Sequence, residues 1–127
     1  KGKLMFEIEF YEDKNGYSET GEWLDELDEK ASTNKDCRIR LKKFTEYMEL
    51  LCKFGTYIGE PFVKKLVGTE FWELRPTRDR VLFAYKSNNK YLLLNHFVKK
   101  TEKTPPREIE KARRMLADYL KRSENNA

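Results

Sequence analysis

The side chains of this chain that could do chemistry are mostly basic, and they gather where predicted strands begin and end. Arg75 ends one predicted strand, Arg80 begins the next, and Arg78 lies between them. Guanidinium groups bind phosphate at two points, and lysines act as point charges. This pattern favours contact with a phosphate backbone, although a solvated surface accounts for any single cation. The other cations of the region are Lys64, Lys65, Lys99, Lys100 and Lys103.

Charge is divided unevenly between the two halves of the sequence. The 127 residues carry a formal net charge of +4. Residues 1–63 hold 10 bases and 14 acids, a net of −4, whereas residues 64–127 hold 16 bases and 8 acids, a net of +8. If these basic residues cluster on the folded surface, they create a positive potential that attracts polyanions such as nucleic acids.

Several other kinds of site are excluded by composition. Two cysteines, Cys37 and Cys52, cannot form a disulfide scaffold or a four-cysteine metal site. The chain has one histidine, His96, and no glycine-rich phosphate loop or nucleophile turn. No apolar run approaches the roughly 20 residues of a membrane span, and no signal peptide is recognisable. We therefore expect a soluble, cytoplasmic protein in a reducing compartment, with no membrane span and no structural metal.

The basic region supports two kinds of chemistry. It could bind RNA or DNA through the phosphates alone. It could also cleave RNA, because the 2′-hydroxyl of the substrate can attack the adjacent phosphate when a protein orients it and stabilises the charged phosphorane. The positions of the bases do not separate binding from catalysis.

The hydropathy pattern predicts the elements that position these cations. A strand within residues 4–11 alternates apolar and acidic residues, and two helices follow, the first capped by Ser18 or Thr20 and the second ended by Gly55. Residues 62–66 are ambiguous and could be extended. Strands at 71–75, 81–86 and 91–98 precede a helix that Thr104 caps and that buries Ile109, Ala112, Leu116 and Leu120. The order β-α-α-β-β-β-α predicts an α+β domain, with one sheet face packed on helices and the other basic and open.

We expect a single domain over residues 1–127. Met5 is the expected native start, with residues 1–4 an added remnant unless Leu4 extends the first strand. The polar residues 123–127 are expected to fray.

Three motifs in fixed order carry a family resemblance. They are WELR at 72–75, RVLF at 80–83 and FVKKTEKTP at 97–105. Together they resemble the phage-derived branch of the HigB toxins, within the RelE/ParE superfamily, and the resemblance covers nearly the whole chain. It implies the RelE-like fold and the toxin of a type II toxin–antitoxin pair. The implied activity is that of an endoribonuclease, a ribosome-dependent mRNA interferase without a cofactor.

The same resemblance implies partners and site residues. The partners are mRNA, the ribosome and a HigA-type helix-turn-helix antitoxin, through which the complex binds operator DNA. The implied catalytic positions are Lys65, Arg75, Arg80 and Lys100. For proton transfer we weigh His96 slightly above Tyr119, with a structural histidine or a lysine base as alternatives. The RNA-binding candidates are Lys64, Arg78, Lys99 and Lys103.

Two other functions stay open at this stage. A toxin of the ParE type keeps the fold but inhibits a protein target such as gyrase, and a plain binding module holds nucleic acid without cutting it. The acidic first helix is an unfavourable RNA surface and a candidate antitoxin contact. Its carboxylates are Glu19, Glu22, Asp25, Glu26, Asp28 and Glu29.

Overall fold

The computed structural model describes residues 5–125 as five strands and three α-helices. The predicted α+β order is confirmed, and the ambiguous segment at 62–66 supplies one additional short strand. The elements are β1 (Glu7–Phe10), α1 (Glu19–Lys30), α2 (Lys35–Phe54), a 3₁₀ turn (Gly55–Ile58), β2 (Val63–Lys65), β3 (Phe71–Leu74), β4 (Asp79–Tyr85), β5 (Lys90–Val98) and α3 (Pro106–Asn125). No helix in this part of the chain is long and apolar enough to cross a membrane.

The five strands form one mixed sheet in the order β1-β5-β4-β3-β2. The strands β2 to β5 run as an antiparallel meander, whereas β1 pairs in parallel with β5. The chain therefore places its first strand beside its last one, and β1 and β2 form the two edges of the sheet.

Each face of the sheet carries a hydrophobic cluster. On one face, Trp23 and Leu27 of α1 and Phe44 and Leu51 of α2 pack against the strands. On the other face, Ala112 and its neighbours on α3 cover Phe71, Leu82, Leu92 and Leu94. The expectation of one open basic face is thus wrong for most of the sheet, because the apolar stripe of α3 buries it. The face that bears α3 is open only where β3 ends and β4 begins.

Local sequence signals account for the ends of the first two helices. The Ser18 hydroxyl accepts a hydrogen bond from the Gly21 amide at 3.0 Å, and the Asn34 side chain caps α2 in the same way. Gly55 ends α2 with φ of 67°, a conformation that glycine adopts without strain.

The last helix differs from its prediction at both ends. It begins at Pro106, and the Thr104 hydroxyl, instead of capping it, donates a hydrogen bond to Glu73 Oε2 at 2.7 Å. Leu120 is 53% exposed, whereas its neighbour Tyr119 packs against the hydrophobic cluster under α3. Residues 123–125 continue the helix. The expectations for residues 1–4 and for 126–127 fall outside the described residues.

Candidate functional site

A cationic groove lies at the open end of the sheet face that bears α3. It has a volume of about 1170 Å³ and lies between the β2–β3 hairpin, the end of β3, the loop of residues 99–105 and the first turn of α3. We call it the basic groove. Its cationic lining consists of Lys64, Lys65, Arg75, Lys100, Lys103 and Arg107.

Strand register brings the two arginines of the site together. Leu74 of β3 pairs with Val81 of β4, so residues 75 and 80 follow as the next opposed positions of this antiparallel hairpin. Opposed residues of antiparallel strands point to the same face. Arg80 in turn pairs with Phe97 of β5, which lines the groove. The predicted convergence of Arg75 and Arg80 is therefore present.

A buried carboxylate, Glu73, lies between the two guanidinium groups. It is 4% exposed, and its Oε1 lies 3.4 Å from Arg75 Nε and 3.9 Å from Arg80 Nε. Its Oε2 accepts the hydrogen bond from Thr104. Glu73 thus supplies a negative charge close to both arginines and ties the central sheet to the 99–105 loop. Glu73 is not among the site residues predicted from the sequence, although its position two residues before Arg75 on one strand places both side chains on the same face.

Arg80 is held rigidly by the main chain. Its Nη1 donates hydrogen bonds to the carbonyls of Thr77 at 2.9 Å and Asp79 at 2.8 Å. Burial, followed by the nearby charge of Arg75, lowers the pKa of Arg80. An arginine starts so far above neutral pH that this group remains a cation. A fixed, partly desolvated positive charge therefore lies beside the groove, in a small pocket that shares Glu73 and Phe97 with it.

Arg75 has donors left over for a ligand. Its side chain is 20% exposed and lies 3.9 Å from Glu60, beyond a short hydrogen bond. Among residues 5–125 no group accepts a hydrogen bond from its buried Nε. A guanidinium held near carboxylates but incompletely bonded is suited to receive a phosphate oxygen.

The lysines around the groove differ in their surroundings. Lys99, Lys100 and Lys103 lie exposed on the 99–105 loop, and Lys64 is exposed on β2. Within the described part of the chain, none of these four has a carboxylate within 4 Å. Lys65 instead donates a hydrogen bond to the Thr69 carbonyl in its own hairpin. The unpaired lysines therefore carry most of the positive potential at the mouth of the groove.

The structure does not bring His96 to this groove. Its ring stacks on Trp23 of α1 at 3.9 Å between ring centres, and its Nε2 lies 2.8 Å from Asp79 Oδ1. Asp79 also accepts two hydrogen bonds from Arg40, at 2.9 and 2.7 Å. Burial alone would raise the pKa of Asp79, but the hydrogen bonds from Arg40 and His96 outweigh it and lower the pKa to about 2. His96 therefore belongs to an ion-paired cluster on the face that bears α1 and α2.

A β-bulge explains the position of His96. Val81 pairs with His96 but Phe83 pairs with Leu93, so β5 carries one extra residue between these pairs. The bulge inverts the alternation of side chains beyond it. Without the bulge, His96 would share the face of Leu92 and Leu94, which α3 covers and on which the groove opens.

Two further candidates also lie away from the groove. Arg78 pairs with Asp36 of α2, with 2.5 Å between Nη2 and Oδ2. The Tyr119 hydroxyl donates a hydrogen bond to Glu9 at 2.9 Å and contacts Lys86. Within residues 5–125, no three His, Cys, Asp or Glu side chains are arranged to hold a metal ion.

Comparison with known proteins places the chain in a family. Residues 22–117 match the model of the family described as phage-derived protein Gp49-like (DUF891). The chain belongs to the Gp49-like family. This family lies within the RelE/HigB-like toxin group. The match spans α1 to most of α3 and so includes every residue of the basic groove. No curated protein matches the chain.

In this Gp49-like chain, the groove combines fixed charges with an apolar wall. Glu73 and Arg75 line the groove, Arg80 lies directly beside them, and exposed lysine side chains surround the mouth. Phe97 and Val67, which is 95% exposed, add apolar surface. A groove of this kind can hold the phosphates of an unpaired strand on its cations and the bases on its apolar wall.

Proposed function

We propose that this Gp49-like protein is the toxin of a type II toxin–antitoxin pair, of the HigB kind, and that it is an endoribonuclease that cuts mRNA on the ribosome. The observation that carries the proposal is the pair Arg75 and Arg80, whose Nε atoms lie 3.4 Å and 3.9 Å from Glu73 Oε1, with Arg75 lining the basic groove and Arg80 directly beside it. Membership of the Gp49-like family supports it.

The proposed reaction uses a nucleophile that the substrate carries. The ribose 2′-hydroxyl gives its proton to water and attacks the adjacent phosphorus, and the bond from phosphorus to the 5′-oxygen breaks as that oxygen takes a proton from water. The products are a 2′,3′-cyclic phosphate and a 5′-hydroxyl end. Arg75 and Arg80 stabilise the extra negative charge on the phosphorane, and their fixed positions avoid reorganisation during the reaction.

The remaining cations position the strand. Lys64, Lys100 and Lys103 contact phosphates on either side of the scissile bond, and Arg107 acts similarly at the first turn of α3. The positive end of the α3 dipole points to the same region and favours an anion. Holding the phosphates on both sides of the scissile bond aligns the attacking 2′-oxygen, the phosphorus and the leaving 5′-oxygen.

The proposed protein partner is a HigA-type helix-turn-helix antitoxin, through which the complex binds operator DNA. The surface of α1 supports a protein contact rather than an RNA contact. Its exposed carboxylates would repel a phosphate backbone. They are Glu22, Asp25, Glu26, Asp28 and Glu29.

The test is induction of the chain in bacteria with mapping of new mRNA 5′ ends. The variant Arg75→Ala removes one guanidinium of the pair. Arg113→Ala is the matched control, because Arg113 is an exposed arginine of α3 outside the groove. We expect new ends inside translated frames with the unaltered chain and with Arg113→Ala, and none with Arg75→Ala. Circular dichroism of the purified variants verifies that each is folded.

Other outcomes would identify other functions. Growth arrest with DNA damage and no new mRNA ends would indicate a ParE-type toxin and overturn the nuclease. Binding of RNA without arrest or cleavage would indicate a binding module. Cleavage that Arg75→Ala leaves intact would overturn the assignment of the groove as the active site.

A further inference from the structure

The edge strand β1 has main-chain groups that the sheet does not use. The Glu7 amide donates to the Asn89 carbonyl and the Tyr11 amide to the Leu93 carbonyl, each at 2.8 Å. In a strand, every second residue points its main-chain groups to the same neighbour. The amides and carbonyls of Ile8 and Phe10 therefore point away from β5, and none of the described residues bonds to them.

A groove follows this edge and runs between the two helical layers. Its volume is about 600 Å³, and it is lined by Ile8, Glu9 and Phe10, by the start of α1 at Ser18 and Gly21, and by Tyr119 and Arg122 of α3. The groove thus leaves the outer edge of β1 accessible, with a helix above and below it.

The acidic side chains of β1 lie on one face of the sheet, and its apolar side chains lie on the other. Glu9 contacts Lys86 and Tyr119, so it lies on the face of α3, and Glu7 shares that face by alternation. Ile8 and Phe10 pack in the cluster of α1 and α2. A strand added at this edge would therefore meet carboxylates on one face and apolar side chains on the other.

This charge pattern disfavours a second copy of the chain as the occupant. In the antiparallel register that pairs the free groups of both Ile8 and Phe10 with those of a copy, Glu9 would oppose its own copy, and in the register centred on Ile8, Glu7 would oppose Glu9. Like charges directly opposite each other destabilise a strand pair. The net charge of −4 over residues 1–63 adds to the repulsion.

We infer that the open edge of β1 binds an extended segment of another protein as a sixth strand of the sheet. The segment alternates basic and apolar side chains, with the basic ones beside Glu7 and Glu9 and the apolar ones beside Ile8 and Phe10. This surface lies at the edge of the sheet opposite β2, so its occupant leaves the basic groove uncovered. The inference is independent of the proposed nuclease activity.

Amide hydrogen exchange of the full chain with a synthetic peptide tests this inference. The probe is an eight-residue peptide alternating lysine and valine, and its control is a peptide of the same composition in which lysines and valines are grouped in pairs. We expect the alternating peptide to slow exchange at the Ile8 and Phe10 amides about tenfold or more. The Glu9 amide, which points to β5, is protected already without peptide.

Two charge variants complete the design. Glu7 is 75% exposed and pairs weakly with Lys90 at 3.7 Å, so Glu7→Gln removes the negative charge without placing a like charge opposite Lys90 and should weaken binding of the alternating peptide about threefold. Glu70→Gln, at the opposite edge of the sheet, is the control and should leave the affinity unchanged. Equal protection by both peptides, no protection at Ile8 and Phe10, or a dimer of the free chain in sedimentation would each overturn the inference.

Discussion

Replacing Asp79 by asparagine tests the ion-paired cluster that holds β4, α2 and β5 together. The carboxylate of Asp79 is fully buried and is bonded by Arg40 and His96. A pKa lowered from 3.8 to about 2 corresponds to about 2 to 3 kcal/mol of stabilisation of the folded state. Asp79→Asn removes this contribution at neutral pH and also leaves the Arg40 guanidinium, 14% exposed, without its partner.

The pH dependence has a definite sign. Because the folded pKa of Asp79 is depressed, its contribution is complete above the unfolded pKa near 4 and decreases as the pH falls toward about 2. The difference in the free energy of unfolding between the unaltered chain and Asp79→Asn should therefore be constant from pH 7 to about pH 5. It should then narrow below about pH 4.

Urea unfolding at a series of pH values measures this difference. Trp23 stacks on His96, so tryptophan fluorescence reports directly on the cluster. Asp36→Asn is the control, because Asp36 is half exposed, pairs mainly with the exposed Arg78 and lies 3.7 Å from Arg40, so its loss should lower the free energy of unfolding clearly less. The reasoning would be refuted if Asp79→Asn lowered the free energy of unfolding no more than Asp36→Asn does, or if its effect did not change with pH.

Three further substitutions have defined outcomes. Thr104→Val removes the hydroxyl donor of a buried carboxylate and should lower the free energy of unfolding by about 1 to 2 kcal/mol in urea titrations. Gly55→Ala places a Cβ 2.8 Å from the Phe6 ring and should lower the midpoint of thermal unfolding more than Gly16→Ala does. Gly16 has a similar positive φ, but the space around it is open. Lys100→Ala should reduce the slope of log affinity against log salt by about 0.7 in RNA-binding titrations.

Much of the fold is predictable because its signals are local. Alternation of apolar and acidic residues defines β1, and Ser18, Asn34 and Gly55 set the ends of the first two helices. The closeness of Arg75 and Arg80 follows from the short hairpin between them. These features depend only on residues near one another in the chain.

The rest depends on contacts between distant segments. Alternation along β5 predicts His96 on the face of α3, and only the bulge, which forms in the pairing with β4, moves it to the other face. Likewise, whether Glu73 is solvated or buried depends on the return of the chain at Thr104. The packing of α3 on the second face also joins segments that are distant in the sequence. The strand sequences alone therefore do not predict how much of the basic face stays open.

The loop of residues 99–105 is joined to the body of the protein by few bonds. The Lys99 amide donates to the Arg78 carbonyl, and the Thr104 hydroxyl donates to Glu73. Between these two anchors the side chains are exposed and contribute nothing to either hydrophobic cluster. Substitutions between these anchors can therefore change the shape and charge of this wall of the groove without a corresponding loss of stability, whereas a change at Arg75 or Arg80 also alters the surroundings of the buried Glu73.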